Sequence, residues 1–422
     1  MRGWLWHPLC NLGGAPCVVR PFVEGFVKRY LIGLSVLLVL GCQKNDSQTT
    51  SEPSPEVLNG NPIASSEYPS VGLIKGPNFI CSGTLISSDV VLTAGHCVVD
   101  SSGNLTQLKF TLDSNYATAT NWTNVSSIKR NADKDIAVIK LATPRTGIEP
   151  SEISLNPLTQ SQINRTVEIV GYGDSASTNT SGSWKDSGAG TKRKGVSLFS
   201  RLDKNNYTIV SKPTTSRQII CPGDSGGPLF SNVFGRRQLF GVASEVLWRG
   251  YCAGVTESYH SHVAYNDTKA WLLNNLASWY KKTILYRGVD NRGNYLFTAT
   301  LNEGSPSYTY SSTTPVFKLL DVPGAFSNAT CTTPLVRCKT SQGMNFLNTN
   351  TCGTATFEKF LGYACNGSRT SQSPTNSFDL WRVDNTVTGA SISTSREAAQ
   401  SLVQQDSRWR IIGFHGVFVL SN

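Results

Sequence analysis

Cys221-Pro222-Gly223-Asp224-Ser225-Gly226-Gly227-Pro228-Leu229 is the stretch on which the reading of this chain turns. Small residues on both sides of a serine let the backbone bend sharply and leave the hydroxyl exposed. They also aim the amides of Gly223 and Ser225 at one point, where a tetrahedral oxyanion would form. Asp224 can hold such a turn only if a cationic group meets it inside the fold. Taken alone, a Gly-Asp-Ser-Gly-Gly run also fits a flexible loop.

Two upstream stretches change the balance. Thr93-Ala94-Gly95-His96-Cys97 follows the β-rich run Val90-Val91-Leu92 and supplies an imidazole, and Asp135 stands at the mouth of the apolar run Ile136–Leu141. A serine hydroxyl is a poor nucleophile at neutral pH. It needs a general base, and the base needs a third group to fix its tautomer. The chain order His96, Asp135, Ser225 is that of the chymotrypsin-type enzymes. This region therefore resembles the trypsin/chymotrypsin family of serine proteases. Against the three motifs together, the alternative for His96, a core histidine bonded to backbone, is the weaker reading.

The resemblance implies two six-stranded antiparallel β-barrels with a cleft between them. It makes Ser225 the nucleophile, His96 the base and then the acid, Asp135 the orienting carboxylate, and the Gly223 and Ser225 amides the oxyanion donors. Bridges are implied between Cys81 and Cys97, around the histidine loop, and between Cys221 and Cys252, from the serine loop to the wall of the specificity pocket. Val57-Leu58-Asn59-Gly60 resembles the start of a mature chain of this family, where a freed aliphatic amine buries itself against the aspartate before the serine. Those groups are Val57 and Asp224 here, so cutting Glu56–Val57 is expected to activate the protein; alternatively, Val57 only begins the first strand. The pocket floor falls at Ile219, with Ile220 beside it, where trypsin-like members carry an aspartate. Ser244 is expected as polar support near Asp135. Val246 and Ser258 replace two glycines of the pocket walls, as in the elastase branch, which gives a small or medium apolar preference. His260 is a further pocket candidate that would favour an acidic residue instead.

A chain of 422 residues can bury two or three cores. Its net charge of +10 invites a nucleic-acid reading. The basic residues are scattered, however, and no recognition helix or aromatic RNA-binding motif accompanies them, so no nucleic acid is expected. No Cys-x-x-Cys pair or Cys/His cluster has ligand spacing, so neither a metal nor a cofactor is expected. The eight cysteines from Cys81 to Cys365 form an even set suited to disulfides in an oxidising compartment.

Lys28-Arg29 ahead of the apolar run Leu31–Leu40 reads as a signal peptide, because so short a run cannot span a bilayer. Val39-Leu40-Gly41-Cys42 resembles a bacterial lipobox, which would make Cys42 a lipidated first residue on an outer-membrane or periplasmic protein; plain secretion is the alternative. Met1–Phe26 suits no signal and reads as a misplaced start. Residues 43–56 are polar and read as a tether or propeptide.

Short apolar runs separated by Gly/Ser/Asn turns fill the protease-like region, 57–282, and point to antiparallel β-structure. Thr268–Leu276 reads as a short amphipathic helix that closes it. Residues 283–422 read as a second small β domain of three units, trefoil-like. Leu285-Tyr286-Arg287, Leu335-Val336-Arg337 and Leu380-Trp381-Arg382 open the units, and apolar strands near Val316–Leu319, Phe360–Tyr363 and Ile412–Phe414 close them. Proximity in sequence suggests bridges Cys331–Cys338 and Cys352–Cys365. Tyr286, Trp381 and Trp409 are candidates to stack on a glycan or cell-surface ligand; equally, they fill a core and the domain is a spacer. The expected activity is peptide-bond hydrolysis of protein or peptide substrates. The alternative is a catalytically idle surface adhesin that keeps a protease shell.

Overall fold

The protein is described from a computed structural model, which covers residues 57–421 apart from 181–182, 248–250, 302, 311–315, 327–328, 369, 371–372 and 374–375. Cys42, the signal-like run and Glu56 lie outside the described residues. No described helix is long and apolar enough to cross a membrane.

The first barrel consists of β1 (Val71–Lys75), β2 (Ile80–Leu85), β3 (Val90–Thr93), β4 (Lys109–Thr111), β5 (Thr123–Asn131) and β6 (Ile136–Leu141). It closes in the order β1-β2-β3-β6-β5-β4. The second consists of β7 (Thr166–Gly171), β8 (Arg193–Asp203), β9 (Thr208–Pro213), β10 (Pro228–Val233), β11 (Arg236–Val246) and β12 (Ser258–His262). Its ring runs β7-β8-β9-β12-β11-β10 and closes from β10 back to β7. Both barrels therefore use the same strand permutation. Closure leaves no unpaired sheet edge, and it is possible because each run is apolar where it turns inward. Val71, Leu73, Val91, Ile136 and Val138 fill the first interior, and Val167, Ile169, Phe199, Ile209 and Leu229 fill the second.

Helix α1 (Asn266–Leu276) starts two residues earlier than its apolar spacing predicts. It buries Leu272 and Leu276 in the first barrel's core cluster, together with Trp279. Lys129 reaches across from β5 to the Asn275 carbonyl at 2.5 Å and lies over the Trp279 ring, 4.4 Å from its centre. The last element of the protease-like region thus packs back on the first barrel.

A further curled β-sheet follows. Its long strands are β13 (Lys282–Asp290), β14 (Phe317–Leu320), β15 (Thr333–Lys339), β16 (Thr356–Asn366), β17 (Ser377–Asn385) and β18 (Trp409–Leu420). β13 pairs with β14, β15 with β16 and β17 with β18. The later strand of each pair also touches the other two, through Leu320↔Tyr363, Lys318↔Leu420 and Cys365↔Phe418. Leu285, Leu335 and Leu380 all bury in one cluster with Phe317, Leu361 and Val419.

The bridges in this sheet join Cys331 to Cys365 and Cys338 to Cys352, which corrects the pairing suggested by proximity. Cys331 and Cys338 lie along one extended stretch, where seven residues at about 3.3 Å each separate them by roughly 23 Å. A disulfide needs Cα atoms within about 7 Å. Antiparallel pairing of Thr333 with Ala364 instead brings Cys331 to Cys365.

The sheet meets the barrels through a buried polar seam. Glu152 binds both its oxygens to Arg236 Nη1, at 2.6 and 2.5 Å, and accepts from Gln238 at 2.6 Å. Arg236 Nη2 donates to the Asn350 carbonyl of the C-terminal sheet. The Tyr363 hydroxyl accepts from the Ile153 amide at 3.1 Å. Removing one member of a buried ion pair leaves the other uncompensated, at about 3–5 kcal/mol. Glu152→Ala is therefore expected to lower the free energy of unfolding in urea by about that amount. A loss below about 1 kcal/mol would mean that water reaches Arg236.

Candidate active site

His96 lies in a single turn of 3₁₀ helix, Gly95–Val98, directly after β3, and Asp135 lies just before β6. Because β3 pairs with β6, Thr93 faces Ala137 and the two side chains emerge at one rim of the first barrel. His96 Nδ1 is 2.9 and 3.2 Å from the Asp135 oxygens, and the His96 amide donates to Oδ1 at 2.8 Å. Ser244 Oγ donates to Oδ2 at 2.6 Å. A β-bulge between Ala243 and Glu245 swings Ser244 toward the first barrel. Burial pushes the Asp135 carboxyl up. The His96 side-chain hydrogen bond and charge outweigh it, with the Ser244 hydroxyl and His96 amide, and hold the carboxyl below its ordinary range.

Asp135 has φ 45°, a left-handed conformation that is strained for a residue with a Cβ. Ser261 Oγ holds it there by donating to the Lys134 carbonyl at 2.7 Å and to the Asp135 carbonyl at 3.1 Å. Arg130 Nε steadies the histidine turn through the Gly95 carbonyl at 2.8 Å. Neither Ser261 nor Arg130 has a motif of its own, so the sequence carried no signal for them.

Ser225 comes from the loop before β10. Its carbonyl accepts from the Ser82 amide at 2.8 Å and lies 3.5 Å from Cys97 Sγ, one residue beyond His96. The serine loop is thereby laid against the histidine turn, which the Cys81–Cys97 bridge closes. Gly226 explains how the approach is possible. A Cβ there would stand 2.1 Å from Thr93 Oγ1 and 2.3 Å from the Ser82 carbonyl, and its φ is +82°. Cys81, Cys97 and His96 also bring three potential ligand atoms together, but both sulfurs are consumed in the bridge.

The turn Cys221–Asp224 closes through the Asp224 amide and the Cys221 carbonyl at 3.0 Å, with Pro222 and Gly223 at its corners. Gly223 has φ +95°, as the second corner of a type II turn requires. The Pro222 carbonyl accepts from the Asp174 amide at 2.8 Å. A trans peptide points its N–H opposite to its C=O, so the Gly223 N–H is turned away from Asp174. Among the described residues neither the Gly223 nor the Ser225 amide donates to a protein acceptor.

Asp224 is only 2% exposed. Its oxygens accept from the Gly173 amide at 2.7 Å and the Cys221 amide at 2.8 Å. Burial pushes its carboxyl up to about 7, against those two hydrogen bonds and the nearby Arg193. Val57 is buried too, in the second barrel's core with Val167 and Ile169.

Of the pocket candidates, Ile219 bridges to Leu58 and packs with Cys221, Cys252 and Val255. Val246 is partly buried against the same cluster and faces Ser258 across the strands. Ile220 points the other way, into the barrel core with Val57 and Leu158, as alternation along an extended chain dictates. Ser258 is buried and its hydroxyl accepts from the Ile220 amide at 3.4 Å. Ser244 gives its hydroxyl to Asp135. His260 is sealed inside and bonded to Ser211 at 3.0 Å, and burial lowers it to about 3, so it offers no charge to an acidic residue. A hairpin, Ala176–Thr180 with Ser183–Ser187, lies against Cys252 and Ala253 and has no motif in the sequence. Its Asp186 accepts from the Cys252 amide at 3.1 Å, and its Ser177 accepts from the Ala253 amide at 3.0 Å. The Cys221–Cys252 bridge joins this wall to the serine loop.

Two closed six-stranded barrels with these groups at their junction define the chymotrypsin-like class. A family model described as Trypsin matches residues 57–272, just over half of the chain. A trypsin-like protease of Streptomyces glaucescens is 33% identical over 203 residues, 41% of this chain and 66% of that one. Snake venom serine protease 5 of Trimeresurus stejnegeri is 28% identical over 280 residues, 58% of this chain and 94% of that protein. Phenoloxidase-activating factor 3 of Holotrichia diomphalia is 24% identical and aligns with 52% of this chain and 72% of its own length. The chain belongs to the trypsin family, and with it to the serine-type endopeptidases.

Asp224 fixes the sign of one pH effect. Its unfolded carboxyl titrates near 4 and its folded one at about 7. Between those values the folded chain holds a proton that the unfolded chain has lost, so stability falls as pH rises, by up to about 1.4 kcal/mol per pH unit. Urea unfolding of the chain extended before Val57, run from pH 4 to 7, is expected to show this slope. Asp224→Asn is expected to remove its own share of the slope and to leave the part due to Glu152 and Asp321, which burial also pushes up, to about 7 and about 6.

Proposed function

We propose that the protein hydrolyses internal peptide bonds through an acyl-enzyme on Ser225. His96 takes the hydroxyl proton and later returns it to the leaving amine, while Asp135 fixes the imidazole with Nε2 toward the serine. The Gly223 and Ser225 amides receive the oxyanion. The observation that carries this reading is the double grip of Asp135 on His96, through both ring and amide, set beside a serine loop whose two amides are unengaged.

The apolar cluster around Ile219 supports a preference for small or medium apolar residues before the scissile bond. Each methylene is worth about 1–3 kcal/mol in such a pocket, so selectivity is modest. Asp224, buried without a hydrogen-bonded cation, supports activation by cutting Glu56–Val57, which would bring the Val57 amine to it. We further propose an exported protein, lipidated at Cys42, whose residues 283–422 form a module of three units. The threefold recurrence of strand pairing and the shared burial of Leu285, Leu335 and Leu380 support that module. Trp409 is 9% exposed, and the half-buried Trp381 ring has the Arg396 guanidinium 5.4 Å from its centre and Phe414 beside it.

Protein starting at Val57 is expected to react covalently with a fluorophosphonate probe, and Ser225→Ala to lose the label. Asp135→Asn should keep the fold and lower kcat/KM by about 10⁴-fold, because the amide favours the wrong tautomer. Labelling that survives Ser225→Ala would remove the proposed nucleophile. In a peptide library, cleavage after Lys or Arg in preference to Ala, Val or Leu would refute the pocket assignment.

A further inference from the structure

The hairpin turn between β10 and β11 carries an unexplained aromatic. Val233 pairs with Arg236 across a two-residue loop, Phe234-Gly235, with φ of 52° and 77°. Positive φ at both positions is the type I′ turn, which favours asparagine followed by glycine. Phe234 is a poor occupant of the first position, and its ring is 69% exposed. Folding gains nothing from it there.

Phe234 stands at the rim of a cleft of about 460 Å³ between the second barrel and the C-terminal sheet. The floor is the Glu152–Arg236 pair. Arg236 is 3% exposed, yet its Nε has no hydrogen-bond partner, although both Nη atoms are engaged. The walls mix apolar side chains such as Leu155, Val233 and Leu273 with amides and hydroxyls, among them Asn156, Thr330, Asn350 and Asn366. Among the described residues the side-chain amides of Asn156 and Asn350 have no protein partner. Asn366, by contrast, is held in place by Thr332 and Thr333 at 2.8–3.3 Å. Glu152 is answered by Arg236, and the one other cation of the lining, Lys269, leans on the Leu155 carbonyl at 3.4 Å.

We propose that this cleft binds a neutral saccharide, independently of the hydrolytic site. An aromatic face at the rim suits the apolar C–H face of a sugar ring. The free Asn156 and Asn350 amides suit its equatorial hydroxyls. Glu152 and Arg236 cancel, and the one charge left over, Lys269, leans on a backbone carbonyl, so recognition rests on the ring and the amides and needs no charge on the ligand. Because both the barrel and the sheet line the cleft, the bound sugar also holds the C-terminal module against the protease.

The test uses the full chain carrying Ser225→Ala, titrated calorimetrically with neutral chito-, malto-, manno- and galacto-oligosaccharides, and with oligogalacturonate as the acidic control. Saturable binding to at least one neutral series is expected, weakened at least tenfold by Phe234→Ala and by Asn350→Ala. Phe234→Asn is the discriminating variant, because it suits the turn better. It should raise the melting temperature and still abolish binding, with fluorophosphonate labelling of otherwise wild-type enzyme unchanged. Failure of every neutral series, binding of the acidic control alone, or binding that survives Phe234→Asn would overturn the proposal. Unfolding of Phe234→Asn would overturn it as well, since the ring would then serve the fold.

Discussion

A carboxylate sealed from water governs this molecule. Asp224 can neither be solvated nor left unsatisfied, so the chain surrounds it with N–H groups from the Cys221 turn and from the end of β7. Meeting that demand shapes the turn itself. Gly223 takes positive φ, the Pro222 carbonyl is occupied by Asp174, and the Gly223 amide is left facing the other way. The unengaged Gly223 amide is thus a by-product of hydrogen-bonding a buried acid.

The same logic extends to the first barrel. Asp135 is strained at its backbone, and each of its oxygens is gripped by a group of different origin. The His96 turn contributes from the first barrel and Ser244 from the second, while Ser261, also of the second, holds the backbone carbonyls of Lys134 and Asp135. Two barrels of identical permutation are therefore joined by hydrogen bonds that converge on one carboxylate. The site is rigid because neither barrel alone can satisfy Asp135. At the far seam a second buried acid, Glu152, plays a comparable part between the second barrel and the C-terminal sheet. There Arg236 spans the boundary and Tyr363 closes over the Ile153 backbone.

What could be read in the sequence follows from how local each feature is. The serine loop, the histidine turn and Asp135 announce themselves because their chemistry needs fixed residue types in short runs. The strands showed through because apolar residues cluster wherever a barrel closes, and helix α1 because Leu272 and Leu276 share one face. Features that arise only when distant strands meet left no trace. Ser261 reads as one more serine in a β-run. The Asp186 hairpin acquires meaning only beside Cys252. Cys331 and Cys365 are 34 residues apart and pair because β15 and β16 do.

Ile219 and Ile220 mark the boundary between these two kinds of information. Both are apolar, adjacent and buried, and composition gives no reason to separate them. The pleat does. One side chain turns toward Leu58 and the Cys221–Cys252 wall, the other toward Val57 and the barrel interior. The first packs under the disulfide wall and the second holds the barrel together. The bulge at Ser244 shows the same principle with the opposite sign. One extra residue breaks the alternation of β11 and sends a hydroxyl to Asp135 that strict pleating would have aimed elsewhere. Function in this fold is therefore decided by strand phase as much as by residue type. Phase is set by pairing with the neighbouring strand, and it brings Ser244 to a carboxylate 109 residues away in the chain.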